Sequence, residues 1–229
     1  MVKKNGYLIL LTGKKKHMRN KKFDEQVSKL SIEKFGRKLM WKNYVKNNTI
    51  EGGSQGIKVQ NGSNAFIYKN TVKSNSGYGI YLLINSVSGD VKHNTLTDNE
   101  DHAMVISSSN STEIYNNTVK ENAGYGLYSI NSKLLVVKGN TIEDNDGGIK
   151  YNNCDFCNLT FNKIDDNGGY GIWFLSGSDN NTIKHNTVSD SSTKDVYLQG
   201  STDNSAFNFT FTTCLLYTSP SPRDLSTSR

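Results

Sequence analysis

The chain has 229 residues, of which 34% are apolar and 10% aromatic, with 20 Gly and only 2 Pro. No stretch approaches the eighteen or more apolar residues of a membrane span, and a large Leu-rich core is excluded. Regularly placed aromatic and β-branched residues exclude wholesale disorder.

The net charge of +6 is unevenly divided. Residues 1–46 hold fourteen Lys/Arg against three Asp/Glu, whereas residues 47–213 hold eleven Lys, no Arg and seventeen Asp/Glu. The body is therefore acidic. It lacks the basic face that grips phosphate, so no nucleic-acid partner is expected for it.

Residues 1–22 form a basic leader, read as a solvated arm without fixed structure. Lys3-Lys4 followed by Tyr7-Leu8-Ile9-Leu10-Leu11 has the outline of a secretory signal. Its apolar run is shorter than the usual stretch of about seven to fifteen residues. Lys14-Lys15-Lys16 stands where a small-residue cleavage site belongs. Residues 23–46 are expected to cap the domain as a helix or an extended segment. Over 24–40 Asp24 is a candidate N-cap, and Val27, Leu30 and Leu39 are partly spaced for a helical face.

Residues 47–213 are an internal repeat. An Asn-Thr-aliphatic phrase recurs at Asn48, Asn70, Asn94, Asn117, Asn140 and Asn186, with Asn162-Lys163-Ile164 as a variant and Asn208 opening a further copy. The intervals are 22 to 24 residues. Three residues before the Asn stand Ile67, Val91, Ile114, Val137, Leu159 and Ile183. Two after it stand Ile50, Val72, Leu96, Val119, Ile142, Ile164 and Val188. A third column is Ile57, Ile80, Met104, Leu127, Ile149, Ile172 and Val196, with companions two residues on at Val59, Leu82, Ile106, Phe174 and Leu198. Period-two alternation around each column predicts three short strands per repeat. Asn75, Asn99, Asn122, Asn145 and Asn167 recur at a predicted corner, where Asn tolerates the left-handed conformation and can hydrogen-bond along a stack. Glycines 77, 79, 124, 126, 147, 148, 168, 169 and 171 are expected to supply other corners.

Residues 214–229 run Cys214-Leu215-Leu216-Tyr217-Thr218-Ser219-Pro220-Ser221-Pro222-Arg223-Asp224 and end Thr227-Ser228-Arg229. They resemble the translated read-through of a sequencing adapter. The expectation is a non-native, structureless tail on a natural chain cut near Thr213, hence a fragment.

Three strands per repeat close one coil, and stacked coils bury their aliphatics between neighbours. The expected fold is all-β: a single-stranded parallel β-helix of about seven coils. The phrase Asn70-Thr71-Val72 followed by Asn75-Ser76-Gly77-Tyr78-Gly79-Ile80-Tyr81-Leu82 resembles the Asn-rich branch of the right-handed parallel β-helix superfamily. That branch includes NosD-type periplasmic proteins and carbohydrate-binding and sugar-hydrolase modules of the pectate-lyase-like fold. The leucine-rich-repeat signature is absent. The resemblance implies a polysaccharide partner and an extracellular, periplasmic or cell-surface location. It also admits copper-site maturation of the NosD kind.

Four groups of residues carry candidate chemistry. Lys58, Tyr81, Val105, Tyr128, Lys150, Trp173 and Tyr197 form one outward row. The aromatics Tyr81, Tyr128, Trp173 and Tyr197 can stack on sugar rings, and Lys58 and Lys150 can meet uronate carboxylates. Asp98, Glu121, Asp144, Asp166 and Asp190 form an acidic row, an oxygen-rich set suited to Ca2+. In one coil Asp101-His102-Ala103 replaces Gly-Tyr-Gly, which would stack His102 between Tyr78 and Tyr125. His102, Asp101, Tyr78 and Tyr125 could then serve as base and acid in a uronan lyase or epimerase. Against that, residues 47–213 lack the Arg of pectate lyases, the paired-Asp motifs of polygalacturonases and the Asp-Pro-His of mannuronan epimerases. Cys154 and Cys157 have Cys-x-x-Cys spacing without a second pair, and His93 and His185 lie four coils apart, too far to share a metal.

Overall fold

The computed structural model describes residues 2–4, 7–11, 31–35, 38–60, 64–84, 86, 88–208, 210–211 and 216–218, with side-chain surroundings between Tyr44 and Thr210. Each repeat contributes one strand to each of three sheets. The Thr sheet holds eight strands running from Thr49–Glu51 to Thr210–Phe211. The long-strand sheet includes Ile57–Gln60, Ile80–Leu83, Met104–Ser107, Tyr125–Ile130, Gly147–Asn152, Tyr170–Leu175 and Lys194–Gln199. The third sheet runs from Ser31–Phe35 and Lys38–Lys46 through Asp90–Lys92 to Ser205–Phe207.

Successive coils pair parallel and in register. Val91 pairs with Ile67 on one side and Ile114 on the other, and Ile114 pairs with Val137. The three aliphatic columns read from the sequence are all buried, so the core is a continuous rod of stacked Ile, Val and Leu. No single coil could bury that surface alone, so stability is a property of stacking.

The corners follow one rule. At most of the described corners a residue with φ near +50° is followed by a buried residue that bonds to a neighbouring coil. Before the anchoring Asn stand Lys69, His93, Asn116, Phe161 and His185, all left-handed. Asn94 Nδ2 donates to Asn117 Oδ1 at 3.0 Å and to the Ile67 carbonyl at 3.0 Å, while Asn94 Oδ1 accepts the Asn70 backbone N–H at 2.9 Å. The same triple bonding continues through Asn117, Asn140 and Asn162. A second ladder joins Asn75, Asn99, Asn122, Asn145 and Asn167. A third runs through Ser86, Ser109 and Ser132 and resumes at Cys154, Ser178 and Ser201.

The structure differs from the sequence reading at several points. The left-handed residue at the second ladder is the one before each Asn, because the Asn side chain is needed inside the stack. Glycines 77, 79, 124, 126, 147, 148, 168, 169 and 171 have no positive φ. A Cβ on Gly126 or Gly171 would instead run into the core side chain Ile142 or Val188, so these positions serve close packing between coils. Within 23–46, expected to be a helix or an extended segment, the described residues form strands Ser31–Phe35 and Lys38–Lys46, paired antiparallel, and not the helix considered for 24–40. Ile32, Phe35 and Trp41 are strand formers, and pairing of Asn43–Lys46 onto Ala65–Tyr68 outweighs the partial helical spacing. Residues 24–30 lie outside the described residues. Within the leader, Val2–Lys4 and Tyr7–Leu11 are strands, the latter antiparallel to Ile57–Gln60. Within the tail, Leu216–Thr218 pairs with Tyr197–Gln199. The remainder of both segments lies outside the described residues.

Candidate functional site

The long-strand sheet turns one face to the core and the other outward, and the outward row is in register. Lys58 pairs with Tyr81, Tyr81 with Val105, Val105 with Tyr128, Tyr128 with Lys150, Lys150 with Trp173, and Trp173 with Tyr197. The aromatics and both lysines are half-buried, whereas Val105, between two tyrosines, is buried.

A second column lies three residues earlier in each coil: Tyr78, His102, Tyr125, Gly147, Tyr170 and Lys194. The two columns interlock. The Tyr78 ring meets Tyr81 edge-on at 5.1 Å and stacks parallel to His102 at 5.9 Å. His102 touches Tyr125 at 5.8 Å and Tyr128 at 5.2 Å. Tyr170 packs on Trp173 at 4.7 Å and stacks on Tyr197 at 5.2 Å. Tyr125 leans across the intervening coil to reach Trp173 at 6.5 Å. Glycine at 147 permits this, because a Cβ there would strike the Tyr125 ring. The result is one ribbon of eight rings along the cylinder axis. Tyr170 and Lys194 were missed from the sequence, although Gly169-Tyr170-Gly171 repeats the phrase at 124–126.

Lysines punctuate the ribbon. Lys58 Nζ lies 5.5 Å from the Tyr81 centroid and Lys194 Nζ 4.7 Å from that of Tyr197. Lys150 Nζ sits among three rings, 4.1 Å from Trp173, 5.2 Å from Tyr125 and 5.4 Å from Tyr128. Burial among them pushes its ammonium pKa below the ordinary lysine value.

His102, Asp101, Tyr78 and Tyr125 do come together. His102 Nδ1 accepts the Tyr125 backbone N–H at 2.8 Å, and Asp101 Oδ1 accepts the His102 backbone N–H at 2.8 Å. With the Nδ1 lone pair engaged, the ring carries its proton on Nε2. Burial holds the imidazole below its usual pKa, partly offset by Asp101. Tyr125 is pushed up to about 12, mainly by burial and then by Asp146. Tyr78 is also raised, by burial first and then by Asp101. His102, Tyr78 and Tyr125 therefore present neutral hydrogen-bond donors at neutral pH, and the imidazole lone pair is already occupied.

The acidic row occupies corners. Asp98, Glu121, Asp144, Asp166 and Asp190 are exposed, with φ of +49 to +57°, and the first four each precede an Asn of the second ladder. Among the described residues no group of three or more His, Cys, Asp or Glu is placed to hold a metal ion. His93 and His185 are also left-handed corner residues, packed on Tyr68 and Phe161. Cys154 and Cys157 are free and buried. Cys154 replaces Ser in the third ladder, and Cys157 accepts the Leu135 N–H, so both are corner residues of the stack. Burial raises both thiols, Cys157 to about 12.

Parallel coils, aliphatic columns and polar corner ladders define a β-solenoid. The profile of the right handed beta helix region matches residues 2–136, 42–188 and 130–219, and the chain belongs to that family. No curated protein matches the sequence. Among solved structures, a periplasmic alginate epimerase AlgG double mutant is similar with a TM-score of 0.67 at 16% identity, over 74% of this chain and 50% of that one. The A-module of the Azotobacter vinelandii mannuronan C-5 epimerase AlgE4 gives 0.61 at 12% identity, over 77% and 56%. The A-module of AlgE6 gives 0.63 at 10% identity, over 76% and 59%. The chain thus spans about half the length of these structures, and the likeness is one of fold. Among the described residues no helix is long and apolar enough to cross a membrane.

Proposed function

We propose that this β-helix binds polysaccharide outside the cytoplasm through its aromatic ribbon, with little or no catalysis of its own. The observation that carries this reading is the merging of two outward columns into one line of rings, Tyr78 to Tyr197, on a rigid parallel sheet. Rungs of such a sheet are about 4.8 Å apart, close to the length of one pyranose unit. A glycan lying along the axis can therefore set successive apolar ring faces against successive coils, while hydroxyls reach the His102 and tyrosine donors. The solved structures of similar fold include enzymes named for alginate and mannuronan, which supports a polysaccharide ligand.

A lyase or epimerase centred on His102 is the weaker reading, since the imidazole lone pair is taken by the Tyr125 N–H. Affinity electrophoresis in gels containing different polysaccharides tests the binding reading. The wild-type chain is retarded, and Trp173→Ala with Tyr128→Ala migrates freely. Equal retardation of the two would defeat it.

A further inference from the structure

Lys150 differs electrostatically from other lysines of the coil stack. Lys92 rests on Glu113 at 2.8 Å, Lys120 on Glu143 at 3.0 Å, Lys133 on Asp155 at 2.8 Å and Lys163 on Asp165 at 2.8 Å. In each of these the carboxylate holds the ammonium pKa above its ordinary value. Among the described residues no carboxylate oxygen lies within 4 Å of Lys150 Nζ. Three aromatic faces hold it instead.

A cation over ring faces is stabilised by the ring quadrupoles, but less than by a desolvated counter-ion. A partly desolvated ammonium without an anion is thus half of an ion pair. The position adds a second sign. Trp173, whose ring face carries Lys150, also has its Nε1 buried with no hydrogen-bond partner. A buried donor without an acceptor is destabilising, so this rung leaves both a cation without an anion and a donor without an acceptor. Asp101 and Asp146 act electrostatically on His102 and Tyr125, and neither forms an ion pair with Lys150. The ribbon ends in further cations, Lys58 and Lys194.

We propose that the middle of the ribbon is an anion subsite that selects a carboxylated sugar, a uronate residue, whose ring stacks on Trp173 or Tyr128 while its carboxylate takes Lys150 out of the aromatic cage. The inference rests on the polysaccharide-binding reading and adds to it a ligand charge, a central residue and a position along the axis. The carboxylate satisfies the ammonium, and the vacated ring faces receive the apolar face of the pyranose.

Isothermal titration with five probes tests it: oligogalacturonate and oligomannuronate as acidic ligands, methyl-esterified oligogalacturonate as the same ring without charge, dextran sulfate, and a neutral glucan. The wild-type chain should bind at least one acidic oligosaccharide at least tenfold more tightly than the methyl ester. Lys150→Gln should bring the two within twofold of each other, and Lys133→Gln, on another face, should leave the preference intact. Retained preference in Lys150→Gln, or none in the wild type while both ligands bind, overturns the uronate subsite and leaves polysaccharide binding standing. Tighter binding of dextran sulfate than of either uronate overturns the carboxylate assignment. Failure of the wild type to bind these or any neutral glucan removes the polysaccharide reading and this inference with it. Unchanged melting temperatures exclude misfolding as the cause of a loss.

Discussion

The backbone N–H of Tyr125 donates to Nδ1 of His102 in the neighbouring coil at 2.8 Å. One side chain thereby does the work of a sheet bond between rungs, and its protonation state becomes part of the fold. The His102 pKa is lowered in the folded state, so the neutral ring is favoured. The unfolded chain binds the proton more readily. The contribution to stability is complete above the unfolded value near 6.5 and is lost as pH falls through the folded pKa. Heteronuclear NMR of the imidazole should show the Nε2–H tautomer at pH 7 and a midpoint below that of a free histidine. The melting temperature should drop on acidification from pH 7 to 5 more in the wild type than in His102→Gln.

Gly124 is glycine because the His102 ring lies against its Cα. A Cβ there would collide with His102 Nδ1 and approach the His102 backbone nitrogen to 2.8 Å. Gly124→Ala should cost about 1–3 kcal/mol, the usual range for overpacking. Combining it with His102→Ala should recover part of that loss. A double-mutant cycle by urea denaturation measures the coupling, and strict additivity would refute the contact.

The Asn ladders predict a position-dependent cost. Asn117→Ala removes the acceptor of the Asn94 backbone N–H and of Asn94 Nδ2, and the donor to the Val91 carbonyl. Buried groups left unpaired cost about 1–3 kcal/mol each, so a loss of more than about 3 kcal/mol is expected. Asn48 lies at the half-buried start of the ladder, and Asn48→Ala should cost far less. Equal midpoints for the two variants in chemical denaturation would contradict the ladder account.

Cys154 and Cys157 should behave as hydrocarbon-like packing groups. In a Cys214→Ser background, Ellman's reagent should find no reactive thiol in the native protein and two after denaturation, because burial raises both thiols and closes access. Added zinc should not shift the melting temperature. Rapid native labelling or a zinc-dependent rise would disprove the corner role.

The columns Ile67, Val91, Ile114 and Val137 were legible because an inward position repeats the same chemistry in every coil. The Asn ladders were legible for the same reason. The third ladder was not, because Ser132 is followed one coil later by Cys154 and residue type no longer marks the position. For 23–46 the sequence left a helix and an extended segment open, and the described strands Ser31–Phe35 and Lys38–Lys46 take the extended form, because three spaced aliphatics are weak evidence beside strand pairing to the stack. The row Tyr81, Tyr128, Trp173 and Tyr197 followed from strand alternation alone. Its fusion with Tyr78, His102, Tyr125 and Tyr170 did not, since that depends on which way rings lean and on the gap at Gly147.

The scaffold is periodic and the decoration on its long-strand face is not. Sliding a bound chain by one rung exchanges tryptophan for lysine or tyrosine for valine, so neighbouring placements are unequal in energy. A featureless solenoid would let a polymer glide. On the proposed binding reading, the unequal rungs would hold a polymer in one register, with Lys150 as its zero mark.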